Sequence, residues 1–349
     1  MFLRTQTKKI MVGGVQIGHS NHVVIQSMTN TKTSNINQTL KQIKNLFSIG
    51  CELVRVAILD TNDSSALNKI IKLSPCPIIA DIHYNYKFAI DAINAGVSGI
   101  RINPANIKLT DLKKVVESAK KNKIIIRIGV NQGSTLNNKE ILSTKQLINL
   151  TQKYVSQFEK WGFYDIVISL KSSNPFTTQQ LYLQAAKIFK YPLHVGVTEA
   201  GSKTDAVIKS TTALIPILQK GIGNTIRISI TGNPLQEISI CKKILKQVNL
   251  YKNVIEIISC PTCGRLSWSL ENLLSQVEEY TKNIDKQLKI AIMGCSVNGI
   301  GECLHSDIGV YGTNDKLIVY LKGKKYSITK HNDGFKTIKS LINKFVSIR

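Results

Sequence analysis

Short apolar runs rich in valine and isoleucine alternate with longer stretches of helical spacing over the first two thirds of the chain. Each apolar run ends in polar residues, and a helical stretch follows it. The pattern predicts strands at 23–28, 53–58, 77–82, 99–104, 124–130, 165–171, 193–200 and 225–231. It predicts helices at 36–49, 64–73, 86–95, 109–120, 144–160, 177–189, 203–219 and 235–248.

Near-continuous apolar strands that alternate with helices are typical of a parallel sheet with both faces buried. Repetition of this unit through about 250 residues favours a closed (β/α)8 TIM-type barrel, and a doubly wound open sheet is the alternative. Gly50, Gly96 and Gly162 follow predicted helices, as expected of glycines that end a helix.

The pattern changes near the last third of the chain. An apolar run at 254–258 leads into SCPTCGR, a helical stretch covers 268–280, and a run at 288–293 leads into GCSVNGIGECLH. The sequence therefore predicts two domains, a barrel over 1–248 and a smaller α/β domain over 249–349.

Polar residues collect at the carboxyl ends of the predicted barrel strands. They are Arg55, Asp81, His83, Arg101, Asn103, Arg127, Asn131, Lys171, Glu199, Arg227 and Ser229. Active sites form at this end of a barrel because each strand delivers a side chain to one mouth. Arginines inside apolar strands predict a bound anion, since burying unpaired charges is costly, and guanidinium groups favour phosphates. We expect a diphosphate or similar anion, with Asp81, His83 and Glu199 as acid–base candidates.

The composition shows a large excess of positive charge. The chain has 349 residues, a net charge of +24 and a pI near 9.7, and its 43% of hydrophobic residues exclude a disordered protein. Many lysines lie on predicted solvated helix faces, which favours a compositional surplus. A nucleic-acid-binding protein is the alternative, but aromatic residues are only 6% and the arginines lie in strands.

The first 30 residues show no signal peptide, and the chain contains no apolar segment long enough to span a membrane. The sequence thus predicts a soluble cytoplasmic protein that binds neither nucleic acid nor membrane.

Seven cysteines in such a chain indicate free thiols or metal ligands. Cys260 and Cys263 form a C-x2-C pair, and Cys295 lies 32 positions after Cys263. Thiolates at this spacing bind zinc or an iron–sulfur cluster, with Cys303 or His305 as a possible fourth ligand, and a redox C-x-x-C is a third option. The other cysteines, Cys51, Cys76 and Cys241, are predicted to lie in the core.

Seven segments in fixed order carry a family resemblance: VIQSMTNT, ADIHYNYKFA, GIRINPANI, RIGVNQGS, HVGVTEAG, SCPTCGR and MGCSVNGIGE. Together they resemble the 4-hydroxy-3-methylbut-2-enyl diphosphate synthase family of the methylerythritol phosphate pathway, over nearly the whole chain. The resemblance implies a TIM barrel followed by a [4Fe–4S] domain, arranged as a homodimer. It implies reductive ring opening of 2-C-methyl-D-erythritol 2,4-cyclodiphosphate, with flavodoxin or ferredoxin as the electron donor.

The resemblance also assigns roles to residues. It implies cluster ligation by Cys260, Cys263, Cys295 and Glu302, where spacing alone favoured Cys303 over Glu302. It implies phosphate contacts from Arg55, Arg101, Arg127 and Lys171, substrate contacts from Asp81, His83, Asn131 and Ser229, and proton donation by Glu199. Arg227 is adjacent to this set.

Two positions depart from the family pattern. The family usually reads NGPGE, so Ile300 stands where a proline would stiffen the turn before Glu302, and Cys303 is an unexpected neighbour. The enzymatic alternative is a zinc-containing barrel enzyme that acts on a phosphorylated sugar without redox chemistry.

Overall fold

The computed structural model describes residues 1–131, 142–282 and 284–347. The chain divides into two compact units, Met1–Leu250 and Tyr251–Arg349. Within the described ranges, no helix is long and apolar enough to cross a lipid bilayer.

The first unit begins with a short antiparallel hairpin of strands β1 (Ile10–Val12) and β2 (Val15–Ile17). Eight parallel strands follow. They are β3 (Val24–Met28), β4 (Leu53–Ala57), β5 (Ile78–Asp81), β6 (Gly99–Ile102), β7 (Ile125–Asn131), β8 (Ile166–Lys171), β9 (His194–Val195) and β10 (Thr225–Ile226).

These strands form a closed barrel. Hydrogen bonding runs in the order β8-β7-β6-β5-β4-β3-β10-β9, so the last strand of the sequence pairs with the first of the eight. A parallel bridge between Ile168 and Leu193 joins β8 to the chain that enters β9 and completes the circle. The barrel prediction is confirmed, and the open-sheet alternative is wrong because the sheet has no free edge here.

In the described part of the barrel unit, seven helices connect the eight strands and an eighth follows the last strand. They are α1 (Ile36–Ser48), α2 (Thr61–Leu73), α3 (Tyr86–Asn94), α4 (Leu109–Lys121), α5 (Thr144–Lys160), α6 (Pro175–Ile188), α7 (Lys203–Gln219) and α8 (Leu235–Gln247). Short polar side chains cap several of them: Asp60 accepts a hydrogen bond from the Asp63 N–H, and Asn174 accepts one from the Thr177 N–H. These caps explain why α2 and α6 start earlier than the apolar periodicity indicated.

The β1–β2 hairpin covers the amino-terminal mouth of the barrel and is absent from the sequence prediction. Its Ile10, Val12 and Ile17 pack in one buried cluster with residues at the starts of the strands, among them Val24 and Leu53. Its two-residue turn is Gly13–Gly14, with φ of +54° and +90°, a conformation that favours glycine. With this end sealed, the opposite mouth is left for a ligand.

The second unit contains a mixed five-stranded sheet in the order β11-β12-β13-β14-β15. The strands are β11 (Ile255–Ser259), β12 (Leu288–Met293), β13 (Ile308–Gly312), β14 (Lys316–Leu321) and β15 (Lys324–Lys330), and the first three are parallel. The helices are α9 (Leu270–Thr281), α10 (Ser296–Leu304) and α11 (Gly334–Ser347).

Helices cover both faces of this sheet. Leu273 of α9 and Leu341 of α11 share a buried core with Ile290 and Val310. On the other face, α10 lies close to β12 and β13, because a Cβ atom added at Gly299 would be 2.5 Å from the Cβ of Tyr311. The segment around Gly299 was expected to be a turn, and in the structure it is the middle of α10.

Candidate functional site

The charged side chains of the barrel strands point into the barrel. Arg127 on β7 donates a hydrogen bond to the Oε1 atom of Gln26 on β3. Three strands lie between β7 and β3 in either direction around the circle, so this bond crosses the interior. Since neighbouring residues on a strand face opposite sides, the same period of two directs Arg55, Arg101 and Lys171 inward.

Asp81 is the carboxylate around which two of the arginines gather. Its oxygens lie 3.3 Å from Nη1 of Arg101 and 3.5 Å from Nε of Arg55, and Oδ2 lies 3.7 Å from Nε2 of His83. Burial by itself would raise the pKa of Asp81, but Arg55, His83 and Arg101 together hold it well below its usual range. Asp81 is therefore ionised and positions two guanidinium groups.

Glycines make room for the cationic side chains. Arg101 donates from Nη2 to the carbonyl oxygen of Gly129 at 3.3 Å, and a Cβ at Gly129 would collide with its guanidinium group. A Cβ at Gly196 would likewise be 2.8 Å from Nζ of Lys171. The site therefore requires glycine at positions 129 and 196, where a larger residue would displace the cationic side chains.

Lys171 has a histidine as its nearest polar partner. Its Nζ lies 3.3 Å from Nε2 of His194, whose Nδ1 lies 2.7 Å from Oγ1 of Thr225. Burial and then the neighbouring arginines lower the pKa of Lys171 well below its usual value, and burial followed by Arg127 and Lys171 does the same for His194. A neutral imidazole that donates from Nδ1 to Thr225 offers its Nε2 lone pair to Lys171.

Arg227 is held by a carboxylate that sequence reasoning missed. Its guanidinium group makes two hydrogen bonds to Glu237 on α8, at 3.1 and 3.3 Å, and Ser27 donates to Glu237 at 2.7 Å. Glu237 is only 2% exposed although it lies in the first turn of a helix, where an acidic residue ordinarily faces water. Nothing in the local sequence distinguishes it, whereas Gln26 and His194 were visible as polar residues inside apolar strands.

The barrel interior carries more positive than negative groups. Among the described residues, Arg55, Arg101, Arg127, Lys171 and Arg227 face the two carboxylates of Asp81 and Glu237. Burial lowers the pKa of Arg55 to about 10, Asp81 opposes that fall, and Arg227 and Arg101 add to it. In the described residues, Nε and Nη2 of buried Arg127 have no hydrogen-bond partner. A multivalent anion would supply both the missing charge and the missing acceptors.

Glu199 and Ser229 lie on two loops at this mouth. Strands β9 and β10 are shorter than the apolar runs predicted, because the chain leaves the sheet early to form these loops. The loops are joined by a hydrogen bond from the N–H of Thr231 to the carbonyl oxygen of Gly201 at 3.0 Å. Glu199 is exposed and has a φ of +51°, a strained conformation for glutamate that is commonly found at functional sites.

Asn131 is the last residue of β7 and pairs in register with Lys171 through the backbone. Its side chain and residues 132–141 lie outside the described part of the chain. The predicted substrate contact of Asn131 therefore stays a prediction.

The cysteines predicted as ligands lie at the ends of two neighbouring parallel strands. Cys260 follows β11, and Cys295 is the residue before α10. The N–H of Gly294 donates to Sγ of Cys260 at 3.1 Å, which brings the two segments into contact. Cys263 is exposed, and all three thiols are free. Peptide N–H groups that point at sulfur are a common feature of iron–sulfur sites.

Glu302 and Cys303 occupy different sides of α10. Glu302 is half-buried and lies two helical turns after Cys295, on the same side of the helix. Cys303 is 0% exposed, and its Sγ would be 2.7 Å from a Cβ added at Gly309 of β13. Burial raises the pKa of the Cys303 thiol to about 12. Cys303 is therefore a core residue in this conformation.

The donors present are of the types that an iron–sulfur cluster uses. In the ranges that the structure describes, no three His, Cys, Asp or Glu side chains are gathered around one metal-ion position. Three free thiols at strand ends, an N–H directed at one of them and a half-buried carboxylate on the adjoining helix are the donors a larger group requires.

Comparison with known families follows the same division of the chain. The profile of the GcpE TIM-barrel domain matches residues 7–242, and that of the GcpE protein C-terminal domain matches residues 256–344. The chain belongs to the GcpE family. The family resemblance drawn from the seven sequence segments is thereby confirmed.

Relatives within the GcpE family are similar to this chain over nearly its full length. A protein of Malacoplasma penetrans is 46% identical over 98% of this chain and 95% of its own length. One from Caldanaerobacter subterraneus is 43% identical over 99% of this chain and 98% of its own length. Both are named 4-hydroxy-3-methylbut-2-en-1-yl diphosphate synthase (flavodoxin).

Solved structures similar to this GcpE family member include dihydropteroate synthases. That of Stenotrophomonas maltophilia has a TM-score of 0.52 and 11% sequence identity, and it covers 68% of this chain and 98% of that one. The Yersinia pestis enzyme has a TM-score of 0.50 and 14% identity, with the same coverage. At these identities the likeness shows a shared fold and nothing about substrate.

Proposed function

We propose that this protein is a flavodoxin-dependent 4-hydroxy-3-methylbut-2-enyl diphosphate synthase that acts in isoprenoid precursor biosynthesis. Its reaction is the reductive ring opening of 2-C-methyl-D-erythritol 2,4-cyclodiphosphate, with two electrons taken up and one water released. The observation that carries the proposal is the excess of buried cations inside the barrel, together with two nitrogens of Arg127 that have no hydrogen-bond partner among the described residues. The relatives at 46% and 43% identity are named for this activity.

The cations bind the diphosphate and favour its opened form. Arg55, Arg101, Arg127 and Lys171 are the proposed phosphate ligands, and Arg227 stands beside them on its Glu237 support. Ring opening turns a bridging phosphate oxygen into a terminal one and so adds a negative charge to the ligand. A preorganised excess of buried positive charge stabilises that added charge more than it stabilises the closed ring.

Asp81, His83 and Glu199 have separate tasks in this proposal. Asp81 stays ionised and fixes Arg55 and Arg101, while His83, with a 41% exposed side chain, faces the substrate from the rim. Glu199 is the proton donor for the departing water, because it is exposed at the mouth on a strained backbone. Ser229 and Asn131 complete the substrate contacts.

The thiols of Cys260, Cys263 and Cys295 with the carboxylate of Glu302 are the proposed ligands of a [4Fe–4S] cluster. When bound, the cluster supplies the two electrons of the reduction. Glu302 would contribute a carboxylate, which is a harder and more easily released ligand than a thiolate. The N–H of Gly294 stabilises the negative charge on Cys260.

The partners follow from the same assignment. Flavodoxin, named in the relatives, is the proposed electron donor, and a ferredoxin is the other candidate. A homodimer is proposed from the family resemblance, and light scattering of the purified protein tests it. A cytoplasmic location is consistent with seven free cysteines.

Anaerobic purification followed by turnover of the cyclic diphosphate with an artificial reductant tests the function. We expect a brown protein with about four irons per chain and formation of the linear diphosphate. A colourless protein with one zinc and no turnover would establish the zinc-enzyme alternative instead.

Two cysteine variants test the ligand assignment. Cys260→Ser should lose both iron and activity, whereas Cys303→Ala, altered in the core, should keep both. Loss of iron from Cys303→Ala would show that Glu302 is not the fourth ligand.

A further inference from the structure

Trp268 ties together the two segments that carry the cysteines. Its indole Nε1–H donates to the carbonyl oxygen of Gly294 at 2.9 Å, and the N–H of the same glycine donates to Sγ of Cys260 at 3.1 Å. Gly294, the residue before Cys295, is thus held at both of its polar groups by the segment 260–268. The proposed function gives Trp268 no role.

The indole ring has a fixed position of its own. It stacks on the imidazole of His331 with ring centroids 5.5 Å apart and an angle of 19° between the planes. Nε2 of His331 lies 3.0 Å from the carbonyl oxygen of Thr313, just after β13. A Cβ atom at Gly312, the last residue of β13, would overlap the indole. The ring therefore lies across the ends of β12 and β13, in a place that only glycine at position 312 leaves open.

We propose that Trp268 is a positioning residue for the cluster-binding segments: by fixing the Gly294 peptide, it keeps the Gly294 N–H on Cys260 and Cys295 at the start of α10. The inference rests on the proposed function, since it concerns the same cluster. A hydrogen bond to a ligand sulfur stabilises the more negative, reduced cluster and so raises its reduction potential. Holding the turn also slows the departure of the ligands.

Trp268→Phe is the direct test, because phenylalanine keeps a ring on His331 and removes only the indole N–H. In the anaerobically reconstituted full-length protein we expect a more negative midpoint potential by EPR-monitored titration. We also expect roughly fivefold faster loss of iron to a chelator, the effect of one hydrogen bond of ordinary strength. Trp161→Phe is the matched control, since Trp161 stacks on Phe158 in the other unit and is the only other tryptophan. It should change neither quantity.

Gly312→Ala tests the hydrogen bond between Trp268 and Gly294 by a change in β13. The added methyl group displaces the indole, so this variant should shift the potential and the iron release in the same direction as Trp268→Phe. Far-UV circular dichroism of both variants establishes that they are folded. If Trp268→Phe does not fold, Gly312→Ala decides the question by the same two measurements.

The outcomes separate this inference from the function on which it rests. A wild-type protein that takes up no iron would overturn the proposed function. A wild-type protein with its cluster, together with variants whose potential and iron release equal those of wild type, would overturn the role of Trp268 and leave the function intact.

Discussion

At the scale of single residues, Arg127 gives the clearest sign of a ligand-binding site in the barrel. Its side chain crosses the barrel to Gln26, and its other N–H groups are buried without a partner among the described residues. Arg127→Met should raise the KM for the cyclic diphosphate by roughly 10-fold to 100-fold and should lower kcat as well, because it removes charge-assisted hydrogen bonds that hold the substrate and grow stronger as the ring opens.

Arg4 provides the control for that measurement. It is also buried, but it donates to backbone carbonyls of Leu218 and Ile222 elsewhere in the barrel. Arg4→Met should lower the melting temperature without changing KM. A KM for Arg127→Met equal to that of wild type would remove Arg127 from the phosphate site.

The lowered pKa of Lys171 should make substrate binding depend on pH. Burial and four arginines lower its pKa in the ligand-free protein, and a bound anion restores it. The ligand-bound protein therefore holds more protons than the free protein. The affinity for the anion falls as the pH rises between the lowered pKa of Lys171 and its ordinary pKa of about 10.4. The fall is at most about tenfold per pH unit. The groups facing Lys171 are His194 and the arginines Arg55, Arg101, Arg127 and Arg227.

Calorimetry without reductant, in two buffers of different ionisation enthalpy, measures this uptake as up to one proton per ligand. Lys171→Arg is the matched variant, because a guanidinium group stays protonated and should bind the anion with no proton uptake. Equal uptake by wild type and Lys171→Arg would assign the proton to another group.

At the scale of elements, the packing of helix α10 on the sheet requires glycine at position 299 but not at position 301. Gly299 faces Tyr311 and Met293 of the sheet, where a Cβ would be 2.5 to 3.3 Å from their side chains, while a Cβ at Gly301 meets nothing within 4 Å. Gly299→Ala should push α10 from the sheet, lower stability by about 1–3 kcal/mol and loosen iron binding.

The control lies in the same helix. Gly301→Ala should be neutral or stabilise the helix by up to about 1 kcal/mol, since alanine is the better helix former. Thermal unfolding and iron content of both variants check the pair. Equal stability of the two would show that α10 does not rest on the sheet through Gly299.

The elements also show where periodicity was informative. Strands β3 to β8 were predicted to within a few residues, because strands buried on both faces are continuous apolar runs. The β1–β2 hairpin and strands β13 to β15 were not predicted, although Gly13–Gly14 and Gly323 marked their turns. Strands β1 and β2 have only three residues each, and β14 and β15 are partly exposed, so their apolar pattern is weak. Strand β13 is buried, but Gly309 and Gly312 interrupt its apolar run. Helix α10 was mistaken for a turn because its glycines suggested one.

At the scale of the whole molecule, the net charge of +24 acts on encounters rather than on the fold. A basic protein attracts an acidic donor, and salt screens that attraction over about 8–10 Å at physiological ionic strength. Reduction by an acidic flavodoxin should therefore slow several-fold as salt is raised, measured by stopped-flow absorbance of the cluster.

A cationic viologen radical is the control donor. Its reaction with a basic protein is opposed by the same charge, so added salt should leave its rate unchanged or increase it. If salt slowed reduction by both donors equally, the effect of salt would be on the protein itself and not on its electrostatic attraction to the donor.

The sequence by itself determined the barrel, the second α/β unit, the family and the location of the cationic residues at strand ends. These follow from local order, because strand period and chain direction decide which residues share a mouth. Only the tertiary structure decided which partners each charge has. Glu237, His194 and Gln26 reach Arg227, Lys171 and Arg127 from other elements of the barrel, at separations of 10, 23 and 101 residues. Likewise, only packing against Gly309 placed Cys303 in the core.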